Sequence, residues 1–365
     1  MDETMNNIKS ISRILSPILL FIIIIILSII ACTREIGSDN DSIMYATIVQ
    51  DSVNGFYNYL QKEPGFWLIV FLNNTFTGGS IEAFFFIYSF IALCLCFYGI
   101  YKVSPAPYIS IIIYLAFFFI IHEMMQIRIA FAAGFIFFTF YYIVDNQRRK
   151  SFFISAIAVI FHYSTIISFF FFFLRPKRKI TKIYLILPVL GMLFGLFINN
   201  APSFSQAFFN LMPTFISYKA QLYFDLNTEG DLKRVTAVAM GFGSLIYYSL
   251  LFFMYFRIHN KDLSLKYYCA LNFLLKITSV QLFLGFILLF NVEFSNRIFT
   301  YIGVLTFPLL PAFFFNEFKK SQDSLFLYLY SSIHLGSYIL VYNSVFIKLN
   351  KLTIRNSMHL YSHEI

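Results

Sequence analysis

A series of long apolar runs, separated by short charged stretches, dominates this sequence of 365 residues. A helix needs about 20 such residues to cross roughly 30 Å of hydrocarbon, and most of the runs approach that length. Only helices and closed barrels satisfy their backbone hydrogen bonds in lipid, and these runs lack the polar–apolar alternation of barrel strands. The pattern therefore predicts an all-α, polytopic transmembrane helical bundle of about nine to eleven spans.

The charged residues report on topology and on partners. They make up only 12% of the chain, about half the fraction of a soluble domain. The net charge of +9 would suit a nucleic acid, but the basic residues fall in short clusters between apolar runs. That is the positive-inside pattern, so we expect contact with membrane lipid and no nucleic-acid partner. The sequence shows no metal-ligand spacing and no nucleotide-binding motif, so no metal or cofactor is expected.

The basic clusters predict which loops face the cytoplasm. They are Lys9 with Arg13, Lys102, 148–150, 175–182, 257–266 and 319–320. The apolar run 152–174 has a basic cluster at both ends, which a single crossing would place on opposite faces of the membrane. We therefore predict a re-entrant helical hairpin whose two arms, each about 15 Å long, meet at 161–164 with His162 at the tip.

A second adjustment completes the topology. The segment Glu63–Phe76 is predicted to be a helix on the outer face, with Pro64 in its first turn. A set of mostly acidic residues then lies on the outer side, in a bundle that we expect to be GT-C-like. They are Asp39, Asp41, Asp51, Glu63, His122, Glu123, Arg128, Asp225, Glu229, Asp231, Glu293 and Arg297. We predict one transmembrane domain over residues 1–347, with 14–32 as an uncleaved first span, followed by a basic C-terminal tail at 348–365.

Two arginines occupy equivalent places at the outer ends of separate spans. Arg128 precedes a run of small residues, and Arg297 begins another apolar run. Guanidinium groups bind phosphate through two parallel hydrogen bonds, so the pair suits a pyrophosphate. The alternative is that both are interfacial arginines that snorkel to the membrane surface. Snorkelling is also the expectation for Lys276, which lies inside an apolar run near its cytoplasmic end.

Three residues on the outer side are candidates for a catalytic base: Asp39, Glu63 and His162. The alternatives are a turn or cap residue for each carboxylate and a satisfied interior histidine for His162. Aromatic and basic side chains on the same side are candidates for weaker contacts with a glycan, and those in 200–235 suit a solvated loop equally well. They are Tyr45, Tyr163, Lys219, Tyr223 and Tyr301.

Several short motifs follow one another in a characteristic order. They are Gly37-x-Asp39 with Tyr45, Glu63-Pro64-Gly65-Phe66, Ile127-Arg128-Ile129-Ala130, Phe161-His162-Tyr163-Ser164, and Arg297 with Tyr301 ahead of Pro308. In this order, over about residues 30–315, the chain resembles the EpsG family, which is related to the Wzy-type O-antigen and exopolysaccharide polymerases. Ile129 departs from the pattern, because many relatives carry a polar residue there.

The resemblance implies an inverting, metal-independent glycosyl transfer on the periplasmic face of the bacterial inner membrane. The donor would be a growing glycan on undecaprenyl pyrophosphate, and the acceptor a lipid-linked oligosaccharide repeat unit. Arg128 and Arg297 would stabilise the leaving pyrophosphate, and Asp39, Glu63 or His162 would take the proton of the attacking hydroxyl. The resemblance also implies a chain-length regulator and a flippase as partners.

Two other functions remain open from the sequence. One is an O-antigen ligase, which transfers a finished glycan from the same carrier to lipid A-core. The other is a transporter or flippase for the lipid-linked oligosaccharide. Transporters usually show internal repeats and a charged cavity that both sides can reach. This sequence shows no clear repeat and has asymmetric charge, which favours an enzyme.

Overall fold

The computed structural model describes residues 2–57, 62–199, 232–288 and 292–319. These residues form helices and no strand, which confirms the predicted all-α class. The chain divides into two compact units, Met1–Phe173 and Leu174–Ile365. Each unit is described by itself, and the single membrane domain over 1–347 stays a prediction. The apolar run 324–346 and the basic tail lie outside the described residues.

Unit 1 contains seven α-helices among its described residues. They are α1 (Asp2–Cys32), α2 (Asn40–Val53), α3 (Pro64–Thr77), α4 (Ile81–Val103), α5 (Pro107–Phe118), α6 (Ile127–Val144) and α7 (Arg148–Phe161). A π-helix, Phe119–Met125, joins α5 to α6, and a 3₁₀-helix, Tyr163–Phe173, follows α7. Helix α4 packs against both α1 and α6 at the centre of this unit.

Unit 2 contains four α-helices among its described residues. They are α8 (Ile183–Asn199), α9 (Leu232–Ile258), α10 (Lys266–Ile287) and α11 (Val292–Lys319). Helices α8 and α10 approach closely at Gly191 and Gly195, where an added Cβ would lie 2.7 Å from Phe283 O and 2.1 Å from Phe286 O. Small residues four apart allow such close packing of membrane helices.

Lys276 corrects one sequence-based expectation. The residue is 2% exposed in α10. Its Nζ donates a hydrogen bond of 2.7 Å to Arg175 O and a second one to Arg178 O. Lys276 therefore does not snorkel, because its ammonium group binds the backbone of the basic loop that precedes α8.

Among the described residues, five helical segments are long and apolar enough to cross a membrane by length and composition. They are Ile81–Val103, Pro107–Met125, Ile127–Val144, Lys266–Ile287 and Phe299–Glu317. Shorter apolar helices cover Pro17–Cys32, Tyr163–Phe173, Ile183–Phe197 and Ser244–Ile258. The chain is thus consistent with a multi-pass membrane protein. The number of spans, the outer-face helices and the GT-C-like arrangement stay predictions.

The run 152–174 folds back on itself at His162. This residue is extended (φ −158°, ψ 118°) between α7 and the 3₁₀-helix. The ring of Phe152 lies 5.3 Å from that of Phe169 and 6.3 Å from that of Phe172, so the two arms run side by side. Within the run, the first arm (152–161) is about 15 Å long, as the sequence predicted, and the second is about 22 Å long, because a 3₁₀-helix rises about 2 Å per residue. Its re-entry into a bilayer stays a prediction.

Candidate functional site

Four residues that the sequence singled out separately lie together in unit 1. Arg128, in the first turn of α6, pairs through Nη1 with Oε2 of Glu63. Its Nε donates a hydrogen bond of 3.2 Å to the hydroxyl of Tyr45. The other carboxylate oxygen of Glu63, Oε1, is 3.0 Å from Nδ1 of His162. One carboxylate therefore connects an arginine with a histidine.

Local structure explains how the chain presents Glu63. A residue before proline favours the extended region, and proline favours the first turn of a helix. Glu63 is extended (φ −65°, ψ 152°) and is the N-cap of α3, with Pro64 in the first turn. Glu63 is 4% exposed, and its carboxylate points to Arg128 and His162 rather than capping its own helix. Pro64 thus starts α3 directly after Glu63, and the carboxylate at this helix start meets Arg128 and His162.

The antiparallel packing of α7 against α6 brings His162 to the Arg128 end of α6. The ring of Phe161 stacks on that of Phe131 at 4.2 Å. Further along, Oγ of Ser155 is 3.1 Å from Oγ1 of Thr139. Because α7 ends beside the start of α6, the residue after Phe161 lies next to the Arg128–Glu63 pair.

The partners of Glu63 control its ionisation. Burial alone would raise the pKa of Glu63, but the hydrogen bond with His162 and the positive charge of Arg128 outweigh it and lower this pKa to about 2. Tyr45 is 1% exposed, and burial raises its pKa despite the nearby Arg128 charge. At neutral pH the site therefore holds an ionised carboxylate and a neutral phenol.

The geometry separates the three candidate bases. A carboxylate with a pKa of about 2 is a weak proton acceptor at neutral pH, and both oxygens of Glu63 already have partners. Oδ1 of Asp39 accepts a hydrogen bond of 2.8 Å from Ser42 N and caps α2. These contacts favour an orienting role for Glu63 and a capping role for Asp39. The role of His162 as a base stays a prediction.

The remaining sequence candidates have different positions. Tyr163 is 58% exposed, and its backbone N–H points to Glu63 Oε1 at 3.5 Å. Tyr301 is 1% exposed in α11 of unit 2. The side chain of Arg297, also in α11, lies outside the described residues, as do Lys219 and Tyr223. Contacts of these residues with a substrate stay predictions.

Two features of this region were missed from the sequence. Arg34, two residues after the end of α1, has its Cζ 3.9 Å from the centroid of the Phe85 ring. A basic residue at the mouth of an apolar run, as at Arg128, was the available signal. His122 and Glu123, expected in an outer segment, are buried in the π-helix, and Tyr114 donates a hydrogen bond to Glu123. Single π-helical turns often occur at functional sites.

Gly65 permits the contact between α3 and the end of α7, and its replacement is a first test. A Cβ at Gly65 would lie 2.6 Å from Cδ1 of Phe161, whose ring is held against Phe131. Gly65→Ala should therefore displace Phe161 and the adjoining His162, and lower activity by about 100-fold. Adding Phe161→Leu makes room for the new methyl group and should restore part of the lost activity. If Gly65→Ala alone keeps wild-type activity, the packing at this glycine does not position the histidine.

The ionisation of Glu63 predicts how stability depends on pH. Its pKa is about 2 in the folded chain against an ordinary value of 4.5, so it stabilises the fold above pH 4.5. That contribution is lost as the pH falls from 4.5 toward 2. Thermal unfolding of the purified protein should show this loss, and Glu63→Gln should reduce it. The fluorescence of Trp67, the single tryptophan of the chain, reports the unfolding of α3. Equal acid sensitivity in the variant would contradict the assignment.

Comparison with known proteins gives one match. The model of the EpsG family matches residues 17–353, which is most of the chain. No curated protein and no solved structure matches.

Proposed function

This chain belongs to the EpsG family, a family of Wzy-type polymerases, and from that premise we propose that it polymerises undecaprenyl-pyrophosphate-linked oligosaccharide repeat units into O-antigen or exopolysaccharide. Family membership suggests a membrane polysaccharide polymerase. The proposal adds the lipid-linked substrate, the periplasmic face of the inner membrane, inversion at the sugar and a mechanism without metal. The observation that carries it is the assembly of Arg128, Glu63 and His162 at one end of α6.

In this proposal His162 is the general base. The contact of 3.0 Å between its Nδ1 and Oε1 of Glu63 favours the tautomer with the proton on Nδ1. Nε2 then accepts the proton from the attacking sugar hydroxyl. Glu63 stabilises the imidazolium that forms, as the carboxylate does in Ser-His-Asp triads. The low pKa of Glu63 suits this role, because the carboxylate stays ionised throughout the reaction.

The bonds that form and break in the glycosyl transfer define the role of Arg128, which is to stabilise the leaving pyrophosphate. The acceptor hydroxyl oxygen bonds to the anomeric carbon of the donor, while the bond from that carbon to the pyrophosphate oxygen breaks and its electron pair leaves with the pyrophosphate. A single displacement of this kind inverts the anomeric centre. Arg128 is held by Glu63 and Tyr45 before the substrate arrives, so little reorganisation is needed to stabilise the developing charge.

Purified protein in lipid vesicles, supplied with a lipid-linked repeat unit, tests the function. We expect glycans of several repeats on the lipid carrier, with inverted configuration at the new linkage and with no loss of activity in EDTA. Movement of the repeat unit across the vesicle membrane without lengthening would support a flippase and contradict the proposal. Transfer of a finished glycan to lipid A-core without lengthening would support a ligase.

Labelling in cells tests the periplasmic orientation. In a background without the native cysteines, Ser38→Cys and Arg149→Cys place single thiols at exposed positions near opposite ends of unit 1. A membrane-impermeant maleimide applied to spheroplasts should label the first thiol and spare the second. The reverse pattern would place the site on the cytoplasmic face.

A further inference from the structure

A second arginine lies near the Arg128 pair, and the mechanism above does not use it. The Cζ of Arg34 is 3.9 Å from the centroid of the Phe85 ring. The Phe85 ring is 6.4 Å from the ring of Tyr45, whose hydroxyl accepts a hydrogen bond from Arg128. One aromatic ring therefore separates the guanidinium of Arg34 from the tyrosine that holds Arg128.

The guanidinium of Arg34 lacks hydrogen-bond partners in the part of the chain that the structure describes. Its Nε, Nη1 and Nη2 are buried, and no acceptor lies within reach of any of them. The negative charges of Asp39 and Asp41 act on it electrostatically. Burial accordingly lowers the pKa of Arg34. A buried charged donor without a partner destabilises a fold, so its presence calls for an explanation.

The charge balance between the site and a pyrophosphate indicates a role for Arg34. The carboxylate of Glu63 already neutralises Arg128 in the resting site. A pyrophosphate diester brings two negative charges, and its departure from the sugar develops more. Tyr45 is neutral, and Lys62, whose Nζ lies 6.0 Å from the centroid of the Tyr45 ring, adds one positive charge, so the site lacks a further positive charge for this doubly negative anion. A second guanidinium supplies it, and stacking on Phe85 orients the planar group while leaving its edge free to donate.

We propose that Arg34 binds the pyrophosphate of the lipid-linked donor together with Arg128. The identity of the anion rests on the proposed function, whereas the preference for an anion with several oxygens follows from the unused donors of Arg34. Arg34 is thus a second arginine beside Arg128 within unit 1, and the role that the sequence suggests for Arg297 stays a prediction.

Binding of inorganic pyrophosphate to the full chain in nanodiscs tests the proposal without any sugar substrate. We expect Arg34→Gln to weaken binding by about 30-fold or more, because a buried charge-assisted contact is lost. Arg34→Lys keeps the charge but lacks the planar fork, so its pyrophosphate affinity should lie between those of the wild type and Arg34→Gln. The control is Arg149→Gln. Arg149 is exposed in the first turn of α7, and this variant should bind pyrophosphate as the wild type does. Polyprenyl pyrophosphate and orthophosphate, used as further probes, distinguish a lipid headgroup from a free anion.

Thermal stability separates a binding role from a structural one. If Arg34 awaits a ligand, Arg34→Gln removes an unsatisfied buried charge and should leave the unfolding temperature of the free protein unchanged or raise it. Pyrophosphate should then stabilise the wild type more than the variant. A lower unfolding temperature for the free variant would show that Arg34 has a structural partner, and would overturn the proposal.

The outcomes also distinguish this proposal from the proposed function. Wild-type pyrophosphate affinity in Arg34→Gln, or no pyrophosphate binding by the wild type, overturns the role of Arg34 even if the protein lengthens glycans. Conversely, Arg34-dependent binding of pyrophosphate in a protein that does not lengthen glycans supports the anion site and contradicts the polymerase.

Discussion

His162→Gln should slow glycan lengthening by about 10²- to 10⁴-fold, the range expected when a general base is removed. Glutamine keeps a polar side chain near Glu63 but does not accept a proton at neutral pH. Chain length is read from the products formed in vesicles at matched protein levels. The control is His259→Gln, because His259 is an exposed histidine near the end of α9 and lies in the other unit. Wild-type rates in His162→Gln would exclude this histidine as the base.

A rescue experiment separates a base from a positioning residue. His162→Gly leaves space at the turn between α7 and the 3₁₀-helix, and added imidazole would restore proton transfer if the ring acts chemically. Recovery should increase with pH, as the fraction of neutral imidazole rises. No recovery in a variant that remains folded, as judged by Trp67 fluorescence, would favour a structural role for His162 at the tip of the hairpin.

Arg128→Gln should have the second large effect, on stability and activity together. It leaves the carboxylate of Glu63 buried without its cationic partner, which destabilises the fold by about 3 kcal/mol. Adding Glu63→Gln removes the stranded charge and should recover much of that loss. Neither variant should lengthen glycans at more than about 1% of the wild-type rate, because the group facing the leaving pyrophosphate is gone. Recovery of activity in the double variant would contradict the role of Arg128.

Replacing Arg128 with lysine tests whether positive charge alone is enough. Arg128→Lys keeps the positive charge but cannot bind Glu63, Tyr45 and a phosphate oxygen with one planar fork. We expect near-normal stability with strongly reduced activity, and Arg149→Lys as the matched control should change neither. Full activity in Arg128→Lys would show that charge alone is enough.

The residues that meet in the candidate site stood out in the sequence, but their contacts with one another did not. Glu63, Arg128 and His162 each stand at a recognisable place: before a proline, at the mouth of an apolar run, and in the middle of a run with two basic ends. Sequence reasoning ranked Asp39 and Glu63 alike as bases. The structure distinguishes them, since Asp39 caps α2 while Glu63 contacts Arg128 and His162.

The sequence by itself determined the membrane class, the all-helical architecture and the turn within 152–174, because hydropathy, basic flanks and proline act over a few residues. Only the tertiary structure decided that Glu63 meets an arginine 65 residues later in the chain, that Phe161 packs directly on Gly65, and that Arg34 lies on the Phe85 ring beside Tyr45. Such contacts depend on how α3, α6 and α7 pack, and packing between distant segments leaves no local pattern from which the pairs can be read.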